Sequence, residues 1–217
     1  MWYNMNALYP LKEQQQEVYF MRKFNVEKFV GIAMLAAIVV VLQFVGNFIK
    51  FGNVSISLVL LPIVVGAVLY GPSAGAILGA VFGAVIIAGY ISGNVDFLWL
   101  ANPWATAIVC ILKGASAGFV SGYVFKLFSK IKSKTGRVVG SYLASIACPV
   151  VNTGIFLIAM FTIFKPQLVE IAGGTGVVYF AFVVLAGLNF LIEVAVNVLL
   201  APAIVGITNA IKGSRKR

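Results

Sequence analysis

In the stretch ILKGASAG, residues 111–118, Lys113 stands inside the apolar run WATAIVCILKGASAGFVSGYVF. An ammonium at that depth in a lipid-buried segment is costly unless something pairs with it, so Lys113 is a candidate for meeting an anion. Asn152 and Thr153 in CPVVNTGIF place further hydrogen-bonding groups in apolar surroundings, as do Asn189, Glu193 and Asn197 at intervals of four. That interval aligns the last three along one helix face. Two arrangements satisfy these groups. In one, Lys113 and Glu193 form an internal ion pair and the asparagines bond across helices. In the other, the groups line a pocket open to the outside, where Lys113 meets the anionic group of a small solute. Asn152 and Asn189 then supply amide donors and acceptors. A paired lysine can also exchange its partner for a substrate carboxylate, so the arrangements are compatible.

Other chemistry is poorly supplied. The chain has no histidine, which removes imidazole metal ligands and the commonest general base. Its six acidic residues are Glu13, Glu17, Glu27, Asp96, Glu170 and Glu193, and only Glu193 falls within an apolar run. There is no GxSG-type nucleophile site and no GxxxxGK[ST] phosphate loop, so the chain is not expected to be an enzyme and any ATP must be hydrolysed by another subunit. Cys110 and Cys148 both sit in apolar segments and read as small core residues; no metal site, cofactor or disulfide is expected.

The elements that hold these groups are membrane spans. Of the 217 residues, 61% are hydrophobic and only 10% charged, and the mean hydropathy is +1.03. Such a composition exceeds what a soluble domain of this size needs, and several segments reach the roughly 20 apolar residues that cross a bilayer. The expected fold is all-α, an integral membrane bundle of six transmembrane helices. Expected spans are 29–49, 56–70 (short and broken by Pro62), 73–91, 104–125, 138–164 and 177–211. Residues 1–28 form a polar N-terminal segment, 29–211 the membrane domain, and 212–217 a basic tail. Met21, followed by Arg22 and Lys23, looks like a natural start, so 1–20 reads as an extension with no signal-peptide pattern.

Basic residues set the orientation. Lys12, Arg22, Lys23 and Lys28 precede the first span; Lys126, Lys130, Lys132, Lys134 and Arg137 follow the fourth; Lys212, Arg215, Lys216 and Arg217 close the chain. The other side holds only Lys50 and Lys165. Both termini are therefore expected in the cytoplasm, and the net charge of +10 reflects membrane orientation with no nucleic-acid partner implied. The outer loop SGNVDFLWLANP, residues 92–103, is aromatic in place of basic. Asn102 suits an N-cap and Pro103 the first position of the fourth span. Trp99 and Trp104 suit either an interfacial aromatic belt or a lid over a ligand.

Small residues form seams. Gly71, Gly75, Gly79 and Gly83 recur every four residues, and Gly114, Gly118 and Gly122 repeat the spacing in the fourth span. Stripes of this kind let helix backbones approach closely, usually within one protein. Ala33 and Ala37 in AMLAA place a smaller patch on the first span, for internal packing or for a partner membrane protein.

With LLPIVVGAVLYGPSAGAILG (residues 60–79) and its LP…G…YGP…G…G pattern, the AxxxA patch, six short spans and cytoplasmic termini, the chain from Met21 onward resembles the substrate-binding (S) components of energy-coupling factor (ECF) vitamin transporters. The resemblance implies a bacterial plasma-membrane protein that binds a vitamin near its outer face, through spans 4 to 6 and the outer loops. It implies an EcfT-like membrane coupling protein and two ATPase subunits as partners, with Ala33 and Ala37 meeting the coupling protein, and a binding subunit that topples in the membrane to carry its ligand inward. On that footing Lys113 recognises charge, Asn152 and Asn189 orient the ligand, Trp99 and Asn102 close the site, and Glu193 holds Lys113 or touches a ligand hydroxyl or amide. The acid that often follows the YGP…G…G helix in folate-type members is missing from residues 80–88. SLVLLPIVVGAVLYGP, NPWAT…LKG and PVVNTGIF look most like the pantothenate group. Folate, cobalamin and riboflavin are the alternative vitamins, and a stand-alone secondary transporter of a small organic anion is the alternative mechanism.

Overall fold

The structure, a computed structural model, describes residues 9–48, 50–51, 54–55, 58–93, 95–131 and 134–214. Ile49 and Ile56, at expected span ends, lie outside these, as do residues 1–8 of the polar segment and 215–217 of the basic tail. In chain order the elements are α1 (Tyr9–Phe48), β1 (Lys50–Phe51), β2 (Val54–Ser55), α2 (Leu60–Tyr70), α3 (Pro72–Ile91), α4 (Phe97–Ala101), α5 (Pro103–Ser129), α6 (Lys134–Thr162), α7 (Lys165–Ala172), α8 (Val177–Tyr179), a π-helical stretch Phe180–Leu185, and α9 (Gly187–Ser214). Strand structure among the described residues is limited to the antiparallel pairs Lys50–Ser55 and Phe51–Val54. The architecture is a helical membrane bundle. In lipid only helices or closed barrels satisfy the backbone internally.

Among the described residues, five helical segments are long and apolar enough to cross a membrane: Val26–Gly46, Pro72–Ile91, Pro103–Ser129, Thr135–Thr162 and Val177–Ile207. The second span is shorter, with 11 residues in α2. Pro62, expected to break it, occupies the first turn of α2, where a missing N–H leaves no intrahelical bond unmade. Pro149 and Pro202 lie inside α6 and α9. α1 continues without interruption from Tyr9 through the first span. The last span is not one regular helix: its first two turns widen into the π-helical stretch before α9 begins.

Turn chemistry explains the boundaries. Gly71 ends α2 at φ 97°, a left-handed conformation that favours glycine, and Pro72 starts α3. Asp96 caps α4, accepting from the amides of Leu98 and Trp99. Asn102 caps α5 by accepting from Ala105, with Pro103 next.

α3 and α5 form the tightest pair. A Cβ on Gly79 would strike the carbonyl of Gly114, and one on Gly75 the carbonyl of Gly118. A Cβ on Gly83 would come within 2.5 Å of the Cys110 carbonyl oxygen, and one on Gly122 within 2.7 Å of Pro72 Cα. The two glycine stripes thus meet each other, antiparallel, which is internal packing. Gly71 belongs to the turn and stands apart from this contact.

Two apolar cores result. One surrounds α2 and includes Val39, Leu60, Ile63, Val64, Leu78, Ala117, Ala144 and Ile204. The other, at the α4 end of the bundle, joins Leu98, Val109, Ala159, Met160, Phe164, Leu168 and Ala181. α1 is attached loosely: only 6% of its span is buried within the protein, and Ala33 and Ala37 are exposed.

Candidate functional site

A cavity of about 180 Å³ opens within the second core. α3 contributes Tyr90 from its last turn, and the α4 segment contributes Asp96, Phe97 and Leu98. α5 contributes Thr106, Val109, Cys110 and Lys113, while α6 contributes Phe156, Ala159 and Met160, and the N-cap position of α7 contributes Phe164. On α5 the polar lining residues fall at i, i+4 and i+7, one helix face. The adjoining face carries Gly114 and Gly118 and is locked to α3.

Lys113 is the cation of this cavity. Its Nζ lies 5.5 Å from the Phe156 ring centroid and 5.9 Å from that of Phe82. Ring faces stabilise an ammonium partly without neutralising it. Among the described residues Lys113 forms no ion pair, although its charge acts on Glu193. The internal Lys113–Glu193 ion pair weighed from the sequence is therefore not formed.

The other end is built around Asp96. Its Oδ1 accepts from the amides of Leu98 at 3.1 Å and Trp99 at 3.0 Å, and its Oδ2 accepts the Tyr90 hydroxyl at 2.7 Å. Thr106 is buried, and its hydroxyl lies 2.8 Å from the Leu98 carbonyl and 2.9 Å from that of Asn102. Trp99 is half-buried and packs against Tyr90 with ring centroids 5.3 Å apart. It does not line the cavity but backs a residue that does. Asn102 is exposed and spends its side-chain oxygen on the α5 cap. Trp104 is 83% exposed at the start of α5, as an interfacial belt residue would be.

Asn189 and Glu193 lie together on α9, and Asn152 lies on α6, the helix packed against it, away from the cavity wall. Asn189 Nδ2 is 3.5 Å from Glu193 Oε1, and Asn197 Nδ2 donates to the Glu193 carbonyl at 2.8 Å. Ser145, Cys148 and Asn152 lie on α6, all buried. Ser145 Oγ, Asn152 Oδ1, Asn189 Oδ1, Glu193 Oε2 and Asn197 Oδ1 have no hydrogen-bond partner among the described residues. Asn152 is one helical turn from Phe156, whose ring lies near the Lys113 ammonium. The cavity wall itself includes none of the three.

Sequence reasoning thus found Lys113 but passed over Tyr90, Asp96, Thr106 and Phe156 as lining residues. The spacing Thr106, Cys110, Lys113 was visible as a single face. Nothing in the sequence showed that Tyr90 would reach Asp96. Among the described residues no cluster of ligating side chains could hold a metal ion.

A family model described as "ECF transporter, substrate-specific component" matches residues 27–205. Among solved structures, ThiT from Listeria monocytogenes is similar, with a TM-score of 0.63 and 20% sequence identity, covering 86% of this chain and 97% of its own. At that identity the likeness speaks for the fold. No curated protein matches.

Proposed function

The chain belongs to the substrate-specific components of ECF transporters, a multi-pass membrane family of transport proteins and not enzymes, and we propose on that footing that it captures the vitamin pantothenate for import. Members of this family work with a membrane coupling protein and ATPase subunits. Here those partners are an EcfT-like protein, which meets the exposed Ala33 and Ala37 of α1, and two ATPases. The membrane is the bacterial plasma membrane, with both termini inside and the α4 end of the bundle facing out.

The observation that carries this reading is the unpaired Lys113 ammonium at the end of a cavity otherwise walled by Phe156, Met160, Val109 and Phe164. Burying a carboxylate is favourable only where a charge partner waits for it. Lys113 is that partner, and the aromatic rings hold it in place meanwhile. Glu193 steadies Lys113 electrostatically, Asn189 orients Glu193, and Asn152 lies one turn from Phe156 without lining the cavity. Trp99 and Asn102 fix the loop that closes the site, through Tyr90 and through the α5 cap. A pocket with one cation, several hydroxyl and carboxylate oxygens and a mostly apolar wall suits a small hydroxy-amide acid.

The test is a thermal-shift panel on the detergent-purified full chain with vitamins at micromolar concentration. A ligand that binds only the folded protein raises its melting temperature by mass action. Stabilisation by pantothenate, lost in Lys113→Ala, is the expected result. Stabilisation by another vitamin and not by pantothenate overturns the substrate assignment, and a flat response to every vitamin overturns the binding role.

A further inference from the structure

The cavity has a direction, set by which of its protons are already committed. At the α4 end, the Tyr90 hydroxyl proton goes to Asp96 Oδ2. The Thr106 hydroxyl proton goes to the Leu98 or Asn102 carbonyl. Asp96 has a carboxylate and no proton to give while ionised. Three polar side chains therefore face this end with their donors spent, and what remains to a ligand is acceptor capacity. Asp96 Oδ2 keeps a lone pair after accepting from Tyr90, and the Tyr90 and Thr106 oxygens keep theirs. At the opposite end Lys113 offers only donors. Along α5 the two ends are seven residues apart, about 10 Å at 1.5 Å per residue. Cys110 sits between them and feels both charges.

Resting on the vitamin-binding role proposed above, we infer that the cavity selects a bipolar ligand about 10 Å long, with an anionic group on Lys113 and hydroxyl or N–H donors on Asp96, Tyr90 and Thr106. Asp96 is then a specificity-determining residue as well as the cap of α4. A second carboxylate at the α4 end would meet three acceptors and a negative charge, so dicarboxylates are rejected. A neutral polyol fills the α4 end and leaves Lys113 without its anion. A ligand entering in the reverse sense places its anion against the Asp96 carboxylate and leaves Lys113 without a counter-charge.

Calorimetric titration of the detergent-purified full chain tests this with pantothenate and with its alcohol analogue, in which CH2OH replaces the carboxylate. The native protein should bind the alcohol at least about tenfold more weakly, the scale of a charge-assisted hydrogen bond. In Lys113→Gln the two ligands should bind within about threefold of each other. Asp96→Asn keeps an equivalent cap but presents an amide donor, and should weaken pantothenate by about tenfold while the unliganded protein stays folded with a modestly lower melting temperature. Equal binding of acid and alcohol by the native protein overturns the inference, as does a gap that survives Lys113→Gln. So does an Asp96→Asn protein that binds as the native one does. If pantothenate does not bind and another vitamin does, the substrate assignment fails and the polarity is judged on that vitamin: weakening by both variants sustains it, indifference to either overturns it. If no vitamin binds, both fall.

Discussion

The Tyr90 hydroxyl and the Asp96 carboxylate, 2.7 Å apart, tie the last turn of α3 to the cap of α4. Asp96 also holds the Leu98 and Trp99 amides, so one carboxylate joins the end of α3 to the start of α4. Tyr90→Phe should remove one charge-assisted bond, worth about 1.5–3 kcal/mol when part-buried. Asp96→Ala should remove that bond and the cap, adding about 1 kcal/mol. Thermal melting in detergent should therefore rank native above Tyr90→Phe above Asp96→Ala. The reverse order of the two variants would show that the loop is held by other contacts.

Gly79 and Gly89 lie on the same helix but in opposite circumstances. A Cβ on Gly79 meets the Gly114 backbone, while one on Gly89 meets nothing within 4 Å. Gly79→Leu should abolish the monodisperse folded protein, because neither backbone can retreat from the other. Gly89→Ala should leave it intact, or stabilise it by up to about 1 kcal/mol through helix propensity. Size-exclusion profiles and melting curves of the two variants decide the matter. A well-folded Gly79→Leu protein would mean that α3 and α5 are not in backbone contact.

Cys110 lines the cavity and Cys148 is fully buried away from it. A small thiol reagent should therefore modify Cys110 slowly and Cys148 hardly at all. Saturating ligand should slow the Cys110 reaction further, by tenfold or so if occupancy is about 90% or more. Mass spectrometry on a Cys148→Ala background gives the rate. An unchanged rate with bound ligand would place the ligand outside this cavity.

Ala33 and Ala37 are exposed on a helix with 6% of its span buried. If this face meets the coupling protein, Ala33→Trp and Ala37→Trp should leave ligand binding within about twofold, since surface changes away from a site are usually near neutral. The same variants should lose uptake in cells that express the complete transporter. Uptake at the native level in both would remove this face from the coupling interface.

Much of the fold was legible because lipid imposes few solutions. Long apolar runs become helices, Gly71 with Pro72 marks a turn, and Asn102 with Pro103 starts α5 as read. The glycine periods announced their own packing, although only the structure shows that the two stripes meet each other. The π-helical stretch at Phe180–Leu185 left no signal, since its residues are as apolar as a regular helix requires. Lys113 was legible because a charge in an apolar run is conspicuous. Its neighbours were not: Asp96 and Tyr90 look like ordinary interfacial residues until tertiary folding joins them. Periodicity placed Asn189 and Glu193 on one helix face but could not say whether they and Asn152 faced the cavity. Asn189 and Glu193 meet each other along α9, and Asn152 is buried on α6.

The two faces of α5 answer to different constraints. Gly114, Gly118 and Gly122 fix its distance from α3 and tolerate no side chain. Thr106, Cys110 and Lys113 present their side chains to the cavity from the neighbouring face of the same helix, although the Cys110 backbone abuts Gly83 of α3 and the Lys113 ammonium lies near Phe82. A lineage can therefore exchange its cargo by altering three or four residues on the second face, while the first stays frozen. Frame and selectivity are written in the same twenty-seven residues of α5 but can be edited separately, and a designer seeking a new ligand would start at the second face and leave the glycines alone.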